Sequence, residues 1–138
     1  MTKLAVSMAG VVVLAALPVL AHHSFSAEFD SAKRVTLKGV VTKIEWMNPH
    51  IYVYLDVKED AGAVTNWACE GGPPNVLMRN GWTRNTLKEG DQVTIEGALA
   101  KDGSKRCNSR SVNTADGRKV FAGSSEDTES GARGGGKQ

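Results

Sequence analysis

The sequence predicts a small all-β domain. Apolar residues recur with a period of two, polar turns separate them at short intervals, and no long amphipathic helix interrupts them. The 138 residues divide by composition into three parts. Residues 1–21 are apolar, 22–123 are mixed and patterned, and 124–138 are glycine, serine and charge. The middle part is long enough to bury one modest core.

The strands follow in order. Val35 and Leu37 alternate with Thr36 and Lys38, whereas Val40, Ile44 and Trp46 occupy the opposite phase. The change falls around Gly39, where a bulge or sharp bend is expected, so the first strand should be long and bent. In the second strand Ile51, Val53, Leu55 and Val57 share one face; Tyr52, Tyr54, Asp56 and Lys58 share the other. After a polar turn at Glu59-Asp60-Ala61-Gly62, the third strand runs from about Ala63 to Glu70, with Trp67 and Cys69 on one face. Gly71-Gly72-Pro73-Pro74 stops it.

Asn75–Arg79 is the one helical stretch: the prolines suit its start and Asn80-Gly81 its end. Trp82 and Leu87 are expected beneath it. Val93, Ile95 and Leu99 mark a fourth strand, with another bend at Gly97. Asp102-Gly103 turns into a fifth strand near Lys105–Asn113, and Asp116-Gly117 makes a second hairpin towards Val120 and Phe121. Five short strands, a bent first strand and a small helix between the third and fourth describe an OB-fold-like barrel, whose closure removes exposed edges. Another small β-sandwich is the alternative. The tail from Ser124 has almost no apolar residue and is expected to be disordered.

The first 21 residues read as a cleavable secretory signal. Met1 and Lys3 supply positive charge, the apolar run centres on Val11–Leu17, Pro18 breaks it, and Val19-Leu20-Ala21 offers a cleavage site. As an uncleaved anchor the run is short and is interrupted by Ser7, Gly10 and Pro18. A periplasmic or secreted domain over 22–123 follows, with no stable membrane span after cleavage. The net charge is +2, and losing Lys3 leaves +1, too little to suggest a nucleic-acid partner. Lys101, Lys105, Arg106 and Arg110 are the densest basic group, and a solvated strand face explains them at least as well as a phosphate-binding patch. Cys69 and Cys107 both lie in the exported part, so a disulfide and two buried free thiols are both open.

Cleavage after Ala21 would start the chain at His22-His23-Ser24-Phe25. A free amine beside an imidazole offers two nitrogens from one residue, which suits copper(II). His50, after Asn48-Pro49 between the first two strands, is the third histidine. His22, His23 and His50 are therefore the candidate metal ligands, for copper or another divalent ion, if the terminus folds back onto that loop. The simpler alternative is that the terminal histidines are hydrated and His50 is bonded within its turn.

Trp46, Tyr52, Tyr54, Trp67 and Trp82 form an aromatic set. Trp46, Asn48 and Tyr52 are the candidate ligand-binding residues, since exposed aromatics can stack on a ring. At least two of the three tryptophans are expected in the core instead. Glu45, Glu70 and Arg79 are candidate polar groups at one rim. No GxSxG, HExxH or glycine-rich phosphate loop occurs, and no pair of carboxylates is singled out for acid–base work, so no enzyme is predicted.

His22-His23-Ser24-Phe25, Glu28-Phe29-Asp30, Glu45-Trp46, Asn48-Pro49-His50 and Gly81-Trp82 carry a resemblance. The chain resembles, over about 22–123, a family of small exported bacterial proteins of unknown function. That resemblance implies no activity and no catalytic residue. More loosely, the chain is similar to periplasmic bacterial OB-fold proteins, which implies small ligands or cations as partners. The expected function is thus an exported binding module for a small ligand or metal; the alternative is an interaction module with an envelope protein partner.

Overall fold

The computed structural model describes residues 25–123. The expected signal segment, the pair His22-His23 and the tail from Ser124 lie outside the described residues. The elements are α1 (Phe25–Glu28), β1 (Phe29–Glu45), β2 (Tyr52–Lys58), β3 (Val64–Glu70), α2 (Pro74–Arg79), β4 (Gln92–Ala100), β5 (Arg106–Thr114) and β6 (Lys119–Phe121). The fold is small and all-β, with α2 between β3 and β4 as expected. The strand β6 is the far arm of the second hairpin read at Asp116-Gly117, outside the five strands counted, and the single turn α1 is an addition.

The hydrogen-bonded order is β3-β2-β1-β4-β5-β6, and β3 also pairs with β5. That last pairing is parallel, whereas the others are antiparallel. The strands β1, β2, β3, β5 and β4 therefore form a ring of pairings, completed by three residue pairs between β3 and β5. At the seam Cys69 faces Cys107, and the two form a disulfide; both are fully buried.

Leu37 opposite Ile95, Val41 opposite Leu55, and Leu55 opposite Trp67 build the core. Leu77 of α2, Trp82 and Leu87 close one end of it. Trp67 and Trp82 are buried, as expected for two of the three tryptophans. The hairpin glycines Gly103 and Gly117 have φ of 78° and 85°, a region that other residues enter at a cost.

The change of phase in β1 is not where the sequence suggested. Leu37 and Val41 are buried and Val40 is exposed, so the inward phase passes straight through Gly39. It changes at Thr42, where the register with β2 slips between Val41 and Lys43. Ile44 and Trp46 then pack against the core. Threonine fits either face of a strand, so hydropathy alone does not mark it as the bulged residue. Gly39 is instead where β1 pairs on both sides, with Val57 and with Val93. A Cβ there would lie 2.3 Å from the Asp56 carbonyl oxygen, so the close approach of β2 requires glycine.

The expected irregularity at Gly97 is present as a register shift between Glu96 and Gly97. The extra residue is on β5: Glu96 pairs with Ser111 and Gly97 with Ser109, which leaves Arg110 out and exposed. Val112 rather than Ser111 then reaches the core.

Candidate functional site: a buried carboxylate row

Neighbours of the disulfide point the other way from the core. Glu70 follows Cys69 and Asn108 follows Cys107, so both side chains lie on the outer face of their strands. Tyr52 is the register partner of Glu70, and Glu70 of Asn108. The three make one row across β2, β3 and β5. The Tyr52 hydroxyl donates to Glu70 Oε2 at 3.1 Å, and Asn108 Nδ2 donates to Glu70 Oε1 at 3.5 Å. His50 Nδ1 is 3.1 Å from Glu70 Oε1.

The loop before β2 brings His50 there. Its Asn48–Pro49 peptide is cis. Ile51 donates its N–H to Gly72 and accepts from Gly71, so the loop is held to the residues that follow Glu70. His50 then sits beside the end of the row.

Although it faces outward, the row is covered. Glu70 is 6 % exposed and Asn108 1 %. Phe25 and Phe29 stack with centroids 5.8 Å apart and pack on Ala98 and Ala100. Ala98 is the register partner of Asn108, so α1 lies on the face that carries the row. Glu28 bonds Arg106 at 2.9 Å, Arg106 lies over the Phe29 ring, and Lys101 Nζ donates to the Ser26 carbonyl at 2.6 Å. The amino-terminal turn is thereby fastened to β5.

Burial raises the Glu70 carboxyl above the usual range, while His50, Tyr52 and Arg106 act in the opposite direction and Glu28 adds to the rise. The Tyr52 phenol is pushed up to about 12, first by burial and then by the Glu70 charge and hydrogen bond. The folded chain therefore holds the Tyr52 proton more tightly than the unfolded chain. That contribution to stability is full below the ordinary value of 10.0 and is lost as pH rises to about 12. The phenolate absorbance of the native protein should thus show a late tyrosine step near pH 12 that is missing in Tyr52→Phe and earlier in Glu70→Gln. A Tyr52 step at the ordinary value would contradict the row.

The predicted ligand residues divide between two places. Tyr52 belongs to the carboxylate row. Trp46 and Asn48 line a separate cavity of about 420 Å³ between the loop after β1 and α2. Of the predicted metal residues, His50 is on the row and His22 and His23 are outside the described residues. Glu45 accepts from the Tyr54 hydroxyl and pairs with Lys43, so it serves the outer face of β1 and β2 rather than the row. Arg79 is in the last turn of α2. Asn108 was not singled out from the sequence, and Arg106 and Glu28 were named there only in the basic group and in the resemblance. The signal was available for Asn108: once Cys69 pairs with Cys107, the next residues must share the other face.

No helix among the described residues is long and apolar enough to cross a membrane. A family model described as "Family of unknown function (DUF6152)" matches residues 9–109. The match thus starts earlier and ends earlier than the resemblance over 22–123, and it includes the Glu45-Trp46, Asn48-Pro49-His50 and Gly81-Trp82 motifs. No curated protein and no solved structure matches the chain.

Proposed function

The chain belongs to that family of unknown function, and from this premise we propose that it is an exported, OB-fold-like binding module for copper(II) or a similar divalent ion. The observation that carries the reading is the placement of α1 on the carboxylate row. His22 and His23 are joined to Phe25 through a short segment, and three residues span at most about 10 Å. In this reading the double histidine reaches the face where Glu70 holds His50.

The His50–Glu70 pair has the form that suits a metal-binding imidazole. A carboxylate on Nδ1 orients the ring, fixes the tautomer and leaves Nε2 as the ligand nitrogen. Cleavage after Ala21 would add the amine and imidazole of His22, and His23 is the fourth candidate donor. Nitrogen donors of this kind favour copper(II).

Calorimetric titration of the processed protein tests the proposal. Saturable one-to-one binding at micromolar copper(II) is expected, with loss in His22→Ala. Glu70→Gln should weaken it about tenfold or more by freeing the His50 ring. Equal binding by wild type and His22→Ala would remove the terminal chelate from the reading. Intact mass of the exported protein checks the premise: it should begin at His22 and lack the two hydrogens of a dithiol.

A further inference from the structure

We infer that the cavity between the loop after β1 and α2 binds a small planar aromatic anion, independently of the metal reading. Its volume of about 420 Å³ falls within the usual range for small-ligand sites, about 300–1,000 Å³. Its walls include Trp46, Trp82, Met47, Met78, Asn48 and Arg84.

The walls combine fixed and adaptable parts. Trp82 is 3 % exposed and belongs to the core beneath α2, while Trp46 packs partly against the same core. The indoles are thus held by the fold rather than free to collapse into the space. Met47 and Met78 are 49 % and 55 % exposed, one from the loop and one from the helix. Thioether side chains of this kind adjust to the outline of a ring.

Charge decides what the ring carries. Arg84 is the only ionisable residue among the lining residues. No carboxylate pairs with it among the described residues. A guanidinium in a wall that also carries Trp46 and Trp82 fits a carboxylate or sulfonate on an aromatic ring, by a forked hydrogen bond and by stacking. Asn48 and Thr83 add neutral polar atoms at the wall. The concave shape also separates this place from a flat contact patch for a protein partner. A second cavity, of about 380 Å³ over β1, β4 and β5, has Lys38, Gln92, Thr94 and Asn113 in its lining and no aromatic ring.

Naphthalene-2-carboxylate is the probe, titrated into the folded protein without metal and followed by calorimetry and by amide and indole NMR shifts. Saturable one-to-one binding is expected, with shifts at the indole N–H groups of Trp46 and Trp82. Arg84→Gln should weaken it about tenfold or more, and naphthalene-2-carboxamide should bind wild type more weakly by a similar factor. Arg84 is exposed, so this variant keeps the fold, which an unchanged thermal midpoint verifies. Lys58→Gln, outside the lining, should bind as wild type does. Absence of saturation at millimolar probe, equal binding of carboxamide and carboxylate, or shifts confined to the Lys38–Thr94 groove would each overturn the inference.

Discussion

Removing the Cys69–Cys107 disulfide should cost about 4 kcal/mol of stability, judged from the chain-entropy cost of a loop with a separation of 38 residues. The bond joins the two strands of the parallel pairing, which closes the ring. Only three residue pairs make up that pairing, Ala68–Arg106, Cys69–Cys107 and Glu70–Asn108. The seam is therefore short, and its covalent link constrains the unfolded chain as well as the native one. For a domain of this size the loss corresponds to a fall of about 15 °C or more in thermal midpoint. The double variant Cys69→Ala/Cys107→Ala, compared with wild type in urea with and without reductant, measures it. Identical midpoints for oxidised and reduced wild type would mean that the thiols are unpaired in the native protein. The same variant should loosen the carboxylate row, because Glu70 and Asn108 are adjacent to the linked residues.

Leu55→Ala should cost about 3 kcal/mol. Leu55 is fully buried, faces Val41 on one side and Trp67 on the other, and touches the space that Gly39 leaves open. The strands around it are held by ring closure and cannot move in to fill the cavity. A drop in urea midpoint with an unchanged slope is the expected result. A cost below about 1 kcal/mol would mean that β1 and β2 collapse together despite the close approach at Gly39.

Much of the fold was legible because one face of each strand must leave water. The alternation from Ile51 to Val57 fixed β2, and the prolines and Asn80-Gly81 bounded α2. The bulges were harder to place. Thr42 and Arg110 are compatible with either side of a strand, and the register shift depends on the partner strand as much as on the residue itself. Gly39 stood out in the sequence, but for a different reason than a change of phase: a neighbouring backbone comes too close for any Cβ. The turn α1 was not legible because four residues carry no period. It forms by tertiary packing, through Phe25, Phe29 and the Glu28–Arg106 pair.

The candidate site was legible in pieces. His50, Tyr52, Trp46 and Asn48 were named from one stretch of sequence, yet the fold separates them. The chain turns between Asn48 and His50, so Trp46 and Asn48 face the cavity by α2 while His50 and Tyr52 face Glu70. Glu70 stood among the candidate polar groups, but its central place depends on a parallel pairing between residues 38 apart in sequence, which local pattern does not contain. The turn α1, which follows the double histidine in sequence, is anchored by Phe25, Phe29 and the Glu28–Arg106 pair; His22 and His23 themselves lie outside the described residues.

Copper(II) line broadening in the NMR spectrum of the processed protein tests the central claim most directly, because it reports where the ion sits. At substoichiometric copper, signals of His50, Tyr52 and Asn108 should broaden together. Those of Gly62, at the far end of the β2–β3 hairpin and about 20 Å along the strand from Tyr52, should stay sharp. Broadening that spares His50 and its neighbours, or that spreads evenly over the surface, would contradict a metal site on the carboxylate row.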